Sequence, residues 1–384
     1  MLRSIPRPSH LGLRRTAACL VTAAACTLSG VAVAQTGTVA AKPAVQADVM
    51  AGLKFVRLTT NQGQIHLLLD EMAAPLSVAN FLKYVDDDHY DGTVFHRVMQ
   101  DFMIQGGGFA PEGDQLVQKQ TRDGVLNEYK NGLSNMDLTV AMARLGRQPH
   151  SGTAQFFINV KDNPFLDQPR DGAGYAVFGI VVDGVETVQK IRQTPVGMGQ
   201  LGGRSAENVP DSPMVITSAE RMKTSDLSET AKTAAAKWVE TNDEKRKKAA
   251  ALQAKYDAGV AALAADGTTH ASGLRTLVTE DGEGEIMPLG SRATVQYTGW
   301  MAPGWLFDSS VGQPTGDTYT AVIQAGGLID GWIEGIPMMK KGETRWLEIP
   351  PSLAYGPSGR APIIPPNATL IFEVKLVDFT PPGG

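Results

Sequence analysis

The sequence predicts a multidomain protein: a strand-rich domain folded as a barrel or sandwich, a charged helix, and an α+β domain whose strongly bent sheet wraps one short helix. Three observations predict it. From Lys54 to about Arg221, short apolar runs alternate with Gly, Pro and Asn, the mark of many strands joined by tight turns. From 223 to about 265, Ala, Lys, Glu and Asp dominate, with no Pro or Gly between Met222 and Asp257. From Gly267 the strand-and-turn pattern returns. With 384 residues, 42% hydrophobic and 20% charged, the chain can bury a core in each part.

Residues 1–34 carry Arg3, Arg7, Arg14 and Arg15, no acid, and an Ala/Val/Leu-rich run ending Val-Ala-Val-Ala. This reads as a signal peptide cleaved after Ala34, so the mature chain is expected in the periplasm. Removing it moves the net charge from −5 to −9, which argues against a nucleic-acid partner. Both cysteines, Cys19 and Cys26, fall within the signal, leaving no disulfide. Lipid anchoring at Cys26 is not expected, because the large apolar residue a lipoprotein site needs three positions earlier is missing. Residues 35–50 read as a flexible leader, and no later run approaches the roughly 20 apolar residues of a membrane span.

Within 51–222, Phe55 to Thr60 and Ile65 to Leu69 flank the turn Asn61-Gln62-Gly63, which predicts a hairpin. Pro75 opens a helix with Val78, Phe81, Leu82 and Val85 on one face, ending in Asp86-Asp87-Asp88, read as a solvated helix end. Residues 95–108 predict strand, turn and strand, with Arg97, Met99, Asp101, Met103 and Gln105 on one side and Phe102 and Ile104 on the other. Gly106-Gly107-Gly108 lacks the Lys-Ser/Thr of a phosphate loop. Thr139–Ala143, Ala154–Val160 and Tyr175–Val182 read as strands, the last leading into a helix through Ile191.

In 223–266, Leu227, Ala231, Ala234, Trp238, Ala249, Leu252, Tyr256, Val260 and Leu263 recur at three/four spacing, interrupted by the charged run Glu240–Lys248. The pattern suits a solvated connecting helix, a surface for homodimerisation, or packing back on a neighbouring domain. In 267–384, Leu274–Thr279, Ala293–Tyr297, Thr344–Ile349 and Thr369–Leu376 read as strands and Trp332–Met338 as one short helix.

Conventional catalytic groups are missing. The mature chain has no Cys nucleophile and no nucleophile elbow, and His66, His89, His96, His150 and His270 show no metal-ligand spacing, so neither metal nor cofactor is expected. What stands out is Arg97, a cation among large apolar residues: either a half-buried Arg snorkelling outward or a group whose hydrogen bonds go to a ligand.

Phe95-His96-Arg97-Val98, Phe102-Met103-Ile104-Gln105-Gly106-Gly107, Gln155-Phe156-Phe157-Ile158, Ala141-Met142-Ala143-Arg144 and Gly174-Tyr175-Ala176-Val177-Phe178-Gly179 resemble the signature of the cyclophilins, particularly the bacterial periplasmic type. The resemblance implies a closed eight-stranded β-barrel with two capping helices and peptidyl-prolyl cis/trans isomerase activity. It implies Arg97 as the catalytic guanidinium, with Gln105 positioning backbone and water beside it. Phe102, Met103, Phe157 and Leu166 become the proline pocket; Ala143, Arg144, Gln155 and Tyr175 join them in substrate binding. Gln100-Asp101 replaces the family's Pro-Gly, and Phe165 and Tyr175 stand where eukaryotic members have Trp and His, which implies weak cyclosporin binding.

Gln296-Tyr297-Thr298-Gly299, Leu306-Phe307-Asp308-Ser309-Ser310, Leu328-Ile329-Asp330-Gly331-Trp332, Leu353-Ala354-Tyr355-Gly356 and Ile363-Ile364-Pro365-Pro366-Asn367 resemble a second family of the same reaction, the FK506-binding proteins. This resemblance implies Tyr355 and Asp308 in catalysis, and Tyr297, Phe307, Leu328, Ile329, Trp332, Ile363, Ile364 and Phe372 as an apolar pocket that takes proline and FK506-like macrolides. Tyr319-Thr320-Ala321 departs from the family's pair of aromatics. Together the resemblances imply a two-headed isomerase acting on unfolded or partly folded proline-containing chains. The rival reading is a proline-segment-binding chaperone whose second domain binds without substantial catalysis.

Overall fold

The computed structural model describes residues 50–383, apart from 169, 170, 172, 312–315 and 362. The expected signal peptide, Cys26 and the expected leader up to 49 lie outside the described residues. None of the described helices is long and apolar enough to cross a membrane.

The first half is built on eight strands: β1 (Leu53–Thr60), β2 (Gly63–Asp70), β3 (Arg97–Met99), β4 (Met103–Gly106), β5 (Thr139–Met142), β6 (Phe156–Asn159), β7 (Val177–Asp183) and β8 (Ile216–Met222). They pair in the order β8-β1-β2-β7-β5-β6-β4-β3. Helices α1 (Pro75–Asp86) and α2 (Val185–Arg192) send Val78, Phe81, Leu82, Val188 and Ile191 into the cluster that holds Val56, Leu58, Ile65, Phe95, Ile104 and Ile158. The expected closed barrel needs correction: the ladder runs open between β3 and β8. That seam is crossed just ahead of both strands, by the Val94–Val215 bridge and by hydrogen bonds from Phe95 N to Met214 O at 2.9 Å and from Ile216 N to Thr93 O at 2.7 Å. β3 is only three residues long, too short to carry a full edge ladder. A separate four-stranded sheet (Arg204–Pro210, Val196–Leu201, Gln115–Gln118, Phe109–Glu112) lies against β3 through Arg204–Pro210, and its largely polar sequence gave no strand signal.

Helix α3 runs unbroken from Glu229 to Asp266, 38 residues, with the Ser228 hydroxyl accepting from Ala231 N at its start. It is not a solvated connector. Leu227, Ala231, Ala235 and Trp238 pack on the outer face of the first sheet beside Leu53, Phe55 and Val182. Farther along, Tyr256 and Leu263 pack with Trp300, Trp346 and Ile371 of the second domain. The charged run also contributes: Arg246 Nε and Trp238 Nε1 both donate to Asp70 Oδ2 at 2.8 Å, and Asp70 is fully buried. A buried carboxylate of this kind is tolerated only when paired and hydrogen-bonded.

The second half contains β9 (Arg275–Glu280), β10 (Arg292–Met301), β11 (Trp305–Ser309), β12 (Tyr319–Val322), β13 (Thr344–Ile349) and β14 (Leu370–Thr380). The sheet runs β9-β13-β14-β10-β11, with β12 also pairing β10. Helix α4 (Asp330–Gly335) packs Trp332 against Tyr297, Phe372 and Ile349 in its concave face, and a 3-10 turn, Ile336–Met338, continues it.

Candidate active sites

The first site follows from register. Across β3, β4, β6 and β5, Arg97 lies opposite Gln105, Gln105 opposite Phe157, and Phe157 opposite Ala141. Residues opposite one another in a ladder share a face, so the guanidinium, the amide and the ring stand in one row. Met99 and Met103 flank them on the same face, two residues away. Val98 and Ile104 point the other way, into the core.

Two expectations from alternation fail in the turn between these strands. Phe102 leaves Ile104's side and joins the Met103 cluster, its ring stacked on Phe165 at 5.8 Å. Asp101 faces solvent and pairs with Arg192 at 3.3 Å, not with Arg97, whose Nη2 donates to Met99 Sδ at 3.2 Å.

Gln105 Nε2 donates to Gln155 Oε1 at 2.9 Å. Met103 and Phe157 are buried, with Phe102, Ala143, Leu166 and Tyr175 half-buried around them, and Tyr175 meets Phe157 edge-on at 5.6 Å. Arg144 does not offer its guanidinium to this groove. The side chain is 3% exposed, pairs with Asp171 through Nη1 and Nη2 at 3.1 and 2.8 Å, donates to the Gly174 and Ala173 carbonyls, and lies 4.5 Å from the Tyr175 ring centre. That pairing holds the Asp171 carboxyl well below its ordinary range. Arg144 therefore orients Tyr175.

Sequence reading missed a buried amide chain beneath the pocket. Asn163 Nδ2 donates to Phe102 O and Asn159 Oδ1, both at 2.8 Å; Asn159 Nδ2 donates to Asn135 Oδ1 at 3.1 Å; Asn135 Nδ2 donates to Asp167 Oδ1 at 2.8 Å and Tyr175 O at 3.1 Å. All three asparagines are fully buried, so the chain fixes the backbone of Phe102 and Tyr175 against each other. The isolated asparagines gave no signal, because their partners are brought together only by the fold.

The second site is a cavity of about 910 Å³ lined by Tyr297, Phe307, Asp308, Leu328, Ile329, Trp332, Tyr355, Ile363, Ile364 and Phe372. Aromatic edges form its floor: Trp332 meets Tyr297 at 5.1 Å and Phe372 at 5.3 Å, and Phe307 meets Phe372 at 5.5 Å. Gly299 stands beneath these rings, where an added Cβ would lie 2.6 Å from Phe372. Tyr319 supplies a further edge, 6.0 Å from Tyr297. Tyr297 donates its hydroxyl to Asp308 Oδ2 at 2.7 Å, and burial together with that carboxylate pushes the phenol up. Arg360 Nη1 donates to the Tyr355 hydroxyl at 3.0 Å, which engages one lone pair of the oxygen and leaves its proton free to donate. Arg360, Asp330 and Lys130 also line this cavity and were not read from sequence; Lys130 comes from the first half of the chain.

Comparisons with known proteins agree with this division. Residues 55–221 match the family described as cyclophilin type peptidyl-prolyl cis-trans isomerase/CLD, and residues 284–377 match the FKBP-type peptidyl-prolyl cis-trans isomerases. A peptidyl-prolyl cis-trans isomerase of Streptomyces antibioticus is 51% identical over 171 residues, 44% of this chain and 98% of that protein. Peptidyl-prolyl cis-trans isomerase A of Dickeya dadantii is 49% identical over 168 residues, 44% of this chain and 84% of that protein. FK506-binding protein 1 of Dictyostelium discoideum is 43% identical over 107 residues, 28% of this chain and 98% of that protein.

The molecule is a peptidyl-prolyl cis-trans isomerase. Its chain belongs to the cyclophilin-type family through its first half and to the FKBP-type family through its last third.

Proposed function

We propose that the chain carries two separate active sites for X-Pro rotation, one on the β3–β6 row and one in the aromatic cavity, and serves unfolded or partly folded exported proteins. The row Arg97–Gln105–Phe157 is the observation that carries the first. Imide resonance sets a rotation barrier of roughly 18–20 kcal/mol. A planar cation aimed at the prolyl nitrogen draws the lone pair out of that resonance, so rotation is eased without proton transfer. Phe102, Met103, Phe157 and Leu166 seat the ring; Gln105, tied to Gln155, holds the substrate backbone; Ala143 and Tyr175 border the strand-like groove.

In the second site, the aromatic floor of Tyr297, Phe307, Trp332 and Phe372 disfavours the more polar planar amide relative to its twisted form. Tyr355 and the Ile329 N–H hold the substrate carbonyls, while Asp308 keeps Tyr297 in place. The same cavity suits an FK506-like macrolide, and the first site is expected to bind cyclosporin weakly. We take 51–222, 223–266 and 267–384 as the three units, preceded by a signal peptide that sends the chain to the periplasm. Dimerisation through 223–266 would have to use the charged outer face of α3, since its apolar stripe is already covered by the chain's own two domains.

The rival, a second domain that binds without catalysing, is separated by macrolide titration of the Arg97→Ala chain. Our reading expects the residual isomerisation of a prolyl tetrapeptide to fall to background as macrolide saturates. Macrolide binding with no loss of rate would favour the binder.

A further inference from the structure

The FKBP-type cavity is not built by the FKBP-type domain alone. Lys130, on the segment between the Gln115–Gln118 strand and β5, donates from Nζ to the Phe307 carbonyl at 3.0 Å and lines the cavity beside Phe307 and Asp308. The loop that delivers it is pinned on both sides. Asn127 Nδ2 donates to Gly174 O at 2.9 Å. The buried Glu128 carboxylate accepts from Leu76 N, Ser77 N and Ser77 Oγ at 3.0, 2.7 and 2.7 Å. Asn131 Nδ2 donates to Val177 O at 2.9 Å.

A second lining residue is held from the same loop. Asn127 N donates to His150 Nδ1 at 3.1 Å, so the ring's proton sits on Nε2, which donates to the Ile363 carbonyl at 2.6 Å. The His150 ring also meets Trp305 edge-on at 5.4 Å. Two cavity residues on different segments, Phe307 and Ile363, are thus fixed by the neighbouring domain. Of the ammonium's three donors the Phe307 carbonyl takes one, and the charge stands beside the aromatic floor of the cavity. The remaining charges at the rim, Asp308, Asp330 and Arg360, belong to the FKBP-type domain itself.

We propose that Lys130 is a specificity-determining residue of the second site, selecting proline-containing segments with an acidic side chain flanking the prolyl bond. The cyclophilin-type domain then decides in part which chains its partner domain isomerises. This rests on the reading of the cavity as a substrate site.

The test uses the full chain carrying Arg97→Ala, so that the second site is read alone, and tetrapeptides with Glu, Gln or Lys on either side of X-Pro. At ~0.01 M ionic strength, where the Debye length is about 30 Å, kcat/KM for the better-placed Glu peptide should exceed that for Gln by about three-fold, the size of one exposed ion pair. Lys130→Arg should keep the ratio, Lys130→Gln should bring it to one, and Lys130→Glu should invert it. Raising the salt to ~1 M should erase the preference in the Lys130 chain. A purely structural tie between the domains would change all three peptides alike. An unchanged Glu/Gln ratio in Lys130→Gln and Lys130→Glu overturns the proposal. If the Arg97→Ala chain isomerises none of the peptides, catalysis at this site falls separately, and the same ratios in peptide dissociation constants, read by tryptophan fluorescence, decide the role of Lys130. If no peptide binds, both readings fall.

Discussion

Arg97 reaches from a three-residue strand across Gln105, while its neighbour His96 turns inward, 2% exposed, against the Phe109 ring at 4.7 Å. Burial lowers the His96 pKa from 6.5 to about 4, so the folded protein holds the ring neutral. The sign follows from linkage: the unfolded chain takes up a proton near 6.5 and the folded one does not until about 4. The stability this group contributes is therefore complete above pH 6.5 and is lost as pH falls toward 4. At 1.36 kcal/mol per pKa unit the loss reaches about 3 kcal/mol. The protection factors of β3 and β4 amides, exchange rates corrected for their intrinsic slowing in acid, should fall between pH 6.5 and 4, and much less so in His96→Asn; an equal fall in both chains would remove His96 as the cause. At this scale, alternation alone put Arg97, Met99, Met103 and Gln105 on one face. It misplaced Phe102 and Asp101, because the turn between the strands resets the count and no local rule says by how much.

Among the elements, α3 divides most sharply into what sequence carries and what it hides. Composition and three/four spacing mark its length and its stripe. Neither says what the stripe meets, since Arg246 answers a carboxylate 176 residues earlier, inside a run that reads as solvated. Gly259 shows the same limit. In an exposed helix Ala would be preferred there by about 1 kcal/mol. Here an added Cβ would lie 2.2 Å from Trp346 ring atoms, and Trp346 is stacked on Trp300 at 5.4 Å with the planes 7° apart. Overpacking typically costs about 1–3 kcal/mol, so the packing term outweighs propensity. Gly259→Ala should lower the denaturant midpoint of the second domain, followed by tryptophan fluorescence; a raised midpoint would mean that α3 does not sit on Trp346. The polar four-stranded sheet and the Asn135–Asn159–Asn163 chain were illegible for the same reason as Arg246: their partners are distant in sequence and their residue types are ordinary for loops.

For the whole molecule, the apolar cluster containing Met103 and Phe157 continues into the seat of α3, and the far end of α3 is built into the second core. The two sites are thus parts of one packed body, with Lys130 and His150 crossing directly to the second cavity. The account rests on each site contributing its own share of rotation. It is tested most directly by isomerisation of one tetrapeptide by the wild-type chain, Arg97→Ala, Tyr355→Ala and the double variant. Removing an electrostatic donor at a reacting centre typically costs about 10²-fold or more. Arg97→Ala should therefore leave only the second site's share, Tyr355→Ala should lower that share, and the double variant should keep little of either. An Arg97→Ala chain that isomerises as fast as the wild type would contradict the account.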